Sequence, residues 1–100
     1  MIEKTDLSYE KAVLIGIITK DQNEDKLEEY LDELEFLTYT AGGEVAKRFS
    51  QKMDFPNPKT FIGSGKMEEV RIYVSENEIG TAIFDDELSP AQQKNIEKIL

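Results

Sequence analysis

The stretch Ala12-Val13-Leu14-Ile15-Gly16-Ile17-Ile18 is a continuous apolar run rich in β-branched residues. A strand with one solvated face alternates apolar and polar residues, whereas an unbroken apolar strand is covered on both faces. Coverage on both faces is typical of a parallel sheet that packs against helices. We therefore expect this stretch to be a buried strand of a parallel sheet.

Helix and strand signals follow this run. Glu24 to Ala41 has apolar residues at helical spacing, after the capping candidates Asp21 and Asn23. Gly42 is expected to end the helix in a left-handed conformation. Gly43 to Lys52 is a weaker strand, which indicates an edge or partly exposed position. The helix's expected buried stripe comprises Leu27, Tyr30, Leu31, Leu34, Leu37 and Ala41. The strand residues expected to share one face are Val45, Lys47, Phe49 and Gln51.

The second half of the chain repeats this order. Met53 to Thr60 is predicted to be a loop because of its two prolines, and a helix is predicted from about Lys66 to Asn77. A third strand is predicted at Thr81 to Asp85. The last helix should begin with Ser89 as cap, Pro90 at the first position and Gln92 completing a capping box. Its residues expected to face inward are Ile96, Ile99 and Leu100.

The order of elements predicts an α/β fold, a small parallel β-sheet with alternating helices on its faces in the order βαβαβα. The chain stops within a helix, so we expect a further strand of this sheet to be missing from it. Residues 1–9 are expected to form a flexible tail.

Composition limits the chemistry available to the chain. It contains 21 Asp and Glu against 12 Lys and Arg, a formal net charge of -9, which argues against broad, non-specific coating of DNA. Cysteine and histidine are absent, which excludes disulfides, thiolate chemistry, the usual zinc sites and Ser-His triads. No apolar run approaches the ~20 residues of a membrane span, and the N-terminus lacks a signal pattern. We therefore expect a cytoplasmic location.

The segment Gly63-Ser64-Gly65-Lys66 precedes a predicted helix and partly matches a phosphate-binding P-loop. The match fails at two defining positions, which are occupied by Thr60 and Met67. Two interpretations remain open. The helix start is either an anion site built from backbone amides and the helix dipole, or a flexible loop whose glycines allow close packing.

Basic residues concentrate between positions 47 and 71, where six Lys and Arg stand against three acidic residues. The local net charge of +3 contrasts with -12 for the remainder. Phe49, Phe55 and Phe61 are interleaved with these cations. Such a segment either grips RNA through phosphates and stacking, or has core aromatics and merely solvated lysines. The sequence leaves both interpretations open.

Two groups of acidic residues are further candidate sites. Asp85-Asp86-Glu87 follows the third strand, where carboxylates can bind Mg²⁺, perform acid–base work or simply order the turn. The first helix carries a charged face that is most simply solvated, although a protein partner is conceivable. Its acidic residues are Glu24, Asp25, Glu28, Glu29, Asp32, Glu33 and Glu35.

Two motifs resemble a known family. Residues 56–69, PNPKTFIGSGKMEE, resemble the P-x-P-K-T-[YF]-I-G-S-G-K-x-E-E signature of the HflX family of ribosome-associated GTPases. Residues 84–95, FDDELSPAQQKN, resemble its F-D-D-E-L-S-P-A-Q-Q-R-N segment, with Lys94 in the arginine position. The resemblance extends from about residue 10 to residue 100 and identifies the chain as the family's N-terminal α/β domain.

The resemblance implies that the chain is one part of a larger protein with coiled-coil and GTPase domains. That parent would hydrolyse GTP with Mg²⁺, associate with the large (50S) ribosomal subunit and its rRNA, and split or rescue ribosomes. The family's P-loop, switch and base-recognition motifs have no counterpart here, so the chain alone is expected to be neither an enzyme nor a cofactor carrier. Instead it would help engage the ribosome and regulate nucleotide turnover.

The predicted RNA- or anion-binding residues are Lys59, Gly63, Ser64, Gly65, Lys66 and Arg48. No catalytic or metal-binding residue is predicted. Two alternatives remain open. One is an accessory ATP-binding domain that uses the Gly63–Lys66 helix start with Asp85 or Asp86, and the other is a structural module that docks on the coiled-coil and GTPase domains.

Overall fold

The apolar stretch forms the central strand of a three-stranded parallel sheet in the computed structural model, which describes residues 10–100. This strand, β1 (Glu10–Ile18), pairs with β2 (Gly43–Lys52) on one side and with β3 (Thr81–Phe84) on the other. Residues 12–17 are all buried, as the unbroken apolar pattern predicted. The tail expected at residues 1–9 lies outside the described residues.

Three helices alternate with these strands. They are α1 (Glu24–Thr40), α2 (Ser64–Glu76) and α3 (Pro90–Ile99), and the observed order confirms the predicted βαβαβα α/β fold. The helix after β2 begins two residues earlier than predicted, and β3 ends one residue earlier. The edge position predicted for β2 is also confirmed.

The two faces of the sheet bury different clusters. α1 covers one face, where Leu14 of β1 packs with Leu27 and Leu31. The other face carries the larger cluster, which includes residues of α2 and α3. Its buried members are Val13, Ile15, Ile17, Phe49, Phe61, Ile62, Met67, Val70 and Ile96. The odd and even positions of β1 thus supply the two separate cores on which the three-layer arrangement depends.

Glycine is required at two positions for different reasons. A Cβ added at Gly16 would lie 2.5 Å from Leu27 Cδ1, so glycine allows α1 to approach β1 closely. Gly42 has φ of +92°, the left-handed conformation predicted for the end of α1. The sharp turn between α1 and β2 depends on this second glycine.

Several residues predicted to face the core are exposed instead. Tyr30 and Leu37 of α1 are 43% and 52% exposed, and Ala41 is exposed as well. Three strands span only about 10 Å, so the sheet covers a narrow stripe of the helix. Ile99 and Leu100, at the end of α3, are 36% and 38% exposed, and Leu100 lines an open cleft beside Ala82 and Phe84 of β3.

A β-bulge in β2 overturns the predicted alternation of that strand. Val45 pairs with Ala12 while Lys47 pairs with Val13, which leaves Ala46 as an extra residue. An extra residue reverses the faces of the positions that follow it. Val45 therefore packs in the cluster beneath α1, whereas Phe49 packs on the opposite face, although both were predicted to share one face.

Candidate nucleic-acid interface

The carboxyl ends of the three strands form one edge of the sheet, and all three helices begin there. In parallel α/β sheets, ligands bind at this edge because loops and helix N-termini converge on it. Within this chain, the edge also brings together most of the residues that the sequence singled out. We refer to it as the carboxyl edge.

Two of the three helix starts on the carboxyl edge are closed by side chains. Asn23 Oδ1 accepts a hydrogen bond of 2.9 Å from the Lys26 amide at the start of α1. At α3, Ser89 Oγ accepts from the Gln92 amide at 3.1 Å, and Gln92 Oε1 accepts from the Ser89 amide at 2.8 Å. These contacts confirm the predicted caps and complete the predicted capping box.

The start of α2 is open by comparison. Gly63 is the capping residue, has no side chain to offer, and donates its own amide to Gln51 Oε1 at 2.8 Å. Within residues 10–100, no side chain accepts from the following amides of Ser64, Gly65 and Lys66. A Cβ at Gly65 would meet nothing within 4 Å. The first turn of α2 therefore presents free donors and the positive end of the helix dipole.

The loop before α2 is held in a defined shape. Asn57 and Phe61 exchange backbone hydrogen bonds of 2.9 and 2.8 Å, and Asn57 Oδ1 accepts from the Lys59 amide at 2.8 Å. Helix α3 ties this turn down, because Gln92 Nε2 donates to Asn57 O and Asn95 Nδ2 donates to Lys59 O. The exposed Lys59 side chain thus projects from an ordered turn.

Arg48 lies apart from the other predicted binding residues, on the sheet face covered by α1. Its guanidinium contacts Asp32, Glu35 and Glu28 at 2.7, 2.9 and 3.3 Å. Burial alone would lower the pKa of Arg48, but hydrogen bonds to Asp32 and Glu35 outweigh it and raise this pKa. The structure therefore does not bring Arg48 to the start of α2.

The remaining basic residues divide into engaged and accessible groups. Lys66 pairs with Glu69 at 3.2 Å, Arg71 pairs with Glu68, and Lys47 lies over an aromatic pair. No carboxylate among residues 10–100 lies within ion-pair distance of the accessible group. That group comprises Lys11, Lys20, Lys26, Lys52, Lys59, Lys94 and Lys98. Of these, Lys52 is the last residue of β2, Lys20 lies two residues after β1, and Lys59 lies in the loop before α2, so these three are on the carboxyl edge.

The aromatic residues of the basic segment have two different environments. Phe49 is 5% exposed and packs edge-on against Tyr73, and Phe61 is 1% exposed and packs edge-on against Phe84. Phe55 is 70% exposed. The sequence left open whether these rings fill the core or stack on RNA; two of them fill the core, and Phe55 alone of the three is available.

An open cleft of about 850 Å³ lies at the carboxyl ends of β1 and β2. Phe55, Lys20 and Lys52 line it, together with Gln51, the side chain that holds the Gly63 amide. Sequence reasoning did not select Lys20 as a binding residue. The available signal was its position directly after a buried strand, which is where sites form in parallel sheets.

The β3 side of the carboxyl edge is acidic. A smaller cavity of about 190 Å³ has Asp21, Asp54, Asp85 and Asp86 in its wall. Burial raises the pKa of Asp85; a hydrogen bond of 3.2 Å from Gln22 Nε2 opposes this rise, and the charge of Asp86 adds to it. In the described part of the chain, no group of three or more acidic side chains is arranged to hold a metal ion.

Comparison with known proteins identifies the family. The family described as GTP-binding GTPase N-terminal matches residues 28–100. The chain belongs to this family. Over its entire length it is 65% identical to a protein named GTPase HflX from Flavobacterium psychrophilum, of which it covers 24%. It is 37% identical over 91 residues to GTPase HflX from Escherichia coli, covering 90% of this chain and 20% of that protein.

These matches bear out the resemblance found in the two sequence motifs. The chain spans between a fifth and a quarter of the length of the relatives it matches, at their N-terminal end. Across residues 10–100, none of the helices is both long and apolar enough to cross a membrane. The fold and the family are therefore established, and the activity of the whole protein is a separate question.

Proposed function

We propose that this chain is the ribosome-engaging and regulatory N-terminal domain of a larger cytoplasmic GTPase. The parent would bind GTP with Mg²⁺ in a domain outside this chain, hydrolyse GTP, and associate with the 50S subunit to split or rescue ribosomes. Family membership and the GTPase names of the relatives support this proposal. The chain itself would then act in recognition rather than catalysis, since its one P-loop-like segment lacks two defining residues.

The open start of α2 is the observation that carries the recognition role. Lys59 is exposed on an ordered turn, and the amides of Ser64 and Gly65, which follow this turn in the chain, are free. Lys66 adds a second ammonium group, although it is shared with Glu69. Phosphate oxygens of RNA are anions that amides, lysines and a helix dipole bind together. We therefore assign the RNA contact to Lys59 and the Gly63–Lys66 helix start.

Charge reversal at the two lysines tests this assignment in the full-length protein. The double variant Lys59→Glu/Lys66→Glu should bind purified 50S subunits about tenfold or more weakly in a sedimentation assay. Each phosphate contact releases counterions from the RNA, so a variant that lacks a contact releases fewer of them on binding. The slope of log affinity against log salt should therefore decrease in magnitude by roughly one for each lost contact. Unchanged affinity and slope would refute the RNA contact.

A matched control distinguishes the loss of this site from a general effect of the protein's net charge on binding. The double variant Lys11→Glu/Lys98→Glu makes the same change in total charge at residues far from the start of α2 in sequence. Lys11 lies near the start of β1 and Lys98 in the last turn of α3, at the opposite edge of the sheet. Near wild-type affinity is expected for this control, and an equal loss in both variants would argue for a non-specific charge effect.

A structural docking role is the second candidate, and the edge strand β3 favours it. Within residues 10–100, β3 pairs only with β1, and an open cleft of about 650 Å³ lies beside it between Phe84, Leu88 and Ile96. Coiled-coil or GTPase segments of the parent would fit against this surface. Deleting residues 1–100 should then alter GTP turnover while leaving 50S affinity unchanged, and lost affinity would contradict a purely structural role.

Accessory ATP binding remains a prediction to be tested directly. It would place an ATP phosphate at the Gly63–Lys66 helix start. Isothermal calorimetry of the full-length protein, with the GTP site saturated, should show added heat on titration with ATP and Mg²⁺ if this prediction holds. Absence of binding heat at millimolar ATP would rule out an accessory ATP site.

A further inference from the structure

The cleft at the ends of β1 and β2 combines features that the proposed function does not use. Its volume of about 850 Å³ falls within the range of small-molecule sites, roughly 300–1,000 Å³. One wall carries an aromatic ring, Phe55, that is 70% exposed. Lys20 and Lys52 line the same cleft together with one acidic residue, Asp54, and no carboxylate among residues 10–100 lies within ion-pair distance of either ammonium group.

The exposed ring is presented by an ordered backbone. Pro56 follows Phe55 and restricts its backbone to extended conformations. Two residues earlier, the Met53 amide donates to Ile18 O at 2.9 Å, which joins the start of this loop to the end of β1. The turn after it is fixed by the Asn57–Phe61 hydrogen bonds. Little conformational entropy remains to be lost when a ligand covers the ring.

A planar ring beside two cations matches the two chemical parts of a nucleotide. A base stacks on an aromatic face whatever its identity, and ammonium groups bind the phosphates on either side of it. We propose that this cleft accepts one unpaired nucleotide of an RNA strand, with the base on Phe55 and its phosphates at Lys20 and Lys52. The proposal rests on the proposed function, because it extends the RNA contact from the start of α2 into the neighbouring cleft.

Gln51 connects the two parts of this surface. Its side chain lines the cleft, and its Oε1 accepts the hydrogen bond from the Gly63 amide at 2.8 Å. An RNA backbone that runs from the free amides of α2 therefore passes directly into the cleft. The acidic cavity shares Asp54 and Phe55 with the cleft, and its carboxylates repel phosphate, so a strand that stacks on Phe55 is directed toward Lys20 and Lys52.

The two other rings that are most exposed among residues 10–100 lack this setting. Phe36 and Tyr39 of α1 are 64% and 71% exposed, close to the value for Phe55. The groove that they line contains three acidic residues and one cation, which is already paired with two of them, whereas the Phe55 cleft contains two lysines and one acidic residue. The charged residues of the groove are Asp32, Glu35, Glu44 and Arg48. Negative charge there disfavours an RNA phosphate, so exposure alone does not make a stacking site. These residues provide a matched control.

Substitution of Phe55 in the full-length protein tests the proposal by 50S binding. Phe55→Ala and Phe55→Leu should each weaken binding about fivefold to a hundredfold, whereas Phe55→Trp should retain it. Leu separates stacking from general apolar contact, because it keeps an apolar side chain without a ring. Tyr39→Ala should leave binding unchanged. Urea unfolding of each variant checks that the fold is preserved.

The outcomes distinguish this proposal from the one on which it rests. Unchanged 50S affinity in Phe55→Ala, or full affinity in Phe55→Leu, overturns the stacking cleft even if the Lys59→Glu/Lys66→Glu variant is impaired. A wild-type protein that does not bind 50S subunits overturns both proposals. Free AMP serves as a second probe: Phe55-dependent AMP binding without any effect of Phe55 on 50S affinity would overturn the assignment to RNA.

Discussion

The starts of α2 and α3 lie on the same edge of one sheet and are built in opposite ways. At α3, Ser89 and Gln92 satisfy each other's backbone amides, and Gln92 also holds the neighbouring loop. At α2, Gly63 gives the helix no side-chain cap. Capping side chains typically contribute about 1 kcal/mol to stability. The difference indicates that α3 secures the architecture, whereas α2 keeps its amides accessible.

The contrast extends to the charges beside each helix. Accessible lysines accompany the start of α2, and the carboxylates Asp85, Asp86 and Glu87 precede α3. An anionic ligand is therefore attracted to one side of the carboxyl edge and repelled from the other. The carboxyl edge thus consists of a structural half at the start of α3 and a recognition half at the start of α2.

Gln92→Ala should produce the largest change in stability and tests the structural half. It removes the amide that closes the capping box and the 2.7 Å hydrogen bond to Asn57 O, at a side chain that is almost fully buried. We expect the free energy of unfolding to fall by about 2–3 kcal/mol. Urea denaturation measures this loss.

The neighbouring Gln93→Ala is the control for Gln92. Gln93 is exposed and makes only a 3.4 Å contact with Glu97, so its loss should change stability by less than about 0.5 kcal/mol. An equal loss in the free energy of unfolding for the two substitutions would show that the capping contacts of α3 do not stabilise the fold. The comparison between α2 and α3 would then be wrong.

Gly65→Ala should have a smaller effect of opposite sign. Gly65 lies in the first turn of α2, where a new Cβ would meet nothing within 4 Å. Alanine restricts the unfolded chain and favours helix, so the free energy of unfolding should rise by about 0.5–1 kcal/mol. Affinity for 50S subunits should fall, because the added methyl group occupies open space beside the amides that we assign to the RNA contact. Thermal melts and sedimentation measure the two quantities.

Gly42→Ala provides the opposing control for this glycine. At φ of +92° a side chain is strained, so stability should fall by about 1 kcal/mol although the surrounding space is empty. A loss of stability in Gly65→Ala would mean that the α2 start needs glycine for its backbone, rather than for access.

Asp85→Asn should have the smallest effect, seen mainly in the dependence of stability on pH. Burial raises the pKa of Asp85 above its value in the unfolded chain, so the folded state retains this proton to higher pH. The free energy of unfolding should therefore decrease as pH rises through this raised pKa. Asparagine removes that decrease and should stabilise the protein at neutral pH by less than about 1 kcal/mol.

Asp86→Asn is the companion measurement for Asp85. Its removal takes away only the charge that adds to the rise in the Asp85 pKa, so most of the pH-dependent decrease should remain. Urea denaturation at a series of pH values compares the two variants. Identical pH profiles for Asp85→Asn and the wild type would contradict a buried, destabilising carboxylate.

Local sequence signals were enough to predict the architecture. The apolar run of β1, Gly42 and the Ser89–Gln92 box each fix an element through short-range chemistry. The exposed positions of Leu37 and Leu100 were mispredicted, because periodicity reports that a residue is apolar but not how wide the covering sheet is. The bulge at Ala46 likewise depends on pairing with β1, which no local pattern encodes.

The candidate site was predicted only in part. The turn and helix start at Lys59 and Gly63–Lys66 follow from motif and composition. Arg48 was predicted to bind RNA or an anion, but it pairs instead with carboxylates of α1 that are 13 to 20 residues away in sequence. The cleft joins Lys20 and Phe55 from different loops, so its cations and its ring meet only once the strands are paired.

The bulge at Ala46 has a consequence for assembly. Strand addition needs a regular row of outward amides and carbonyls, and an extra residue interrupts that row in β2. The Tyr73 hydroxyl also donates to Ala46 O, and Lys47 lies across the rings of Phe49 and Tyr73 at this point. Addition of a further strand is therefore disfavoured beside β2, and any extension of the sheet is expected beside β3.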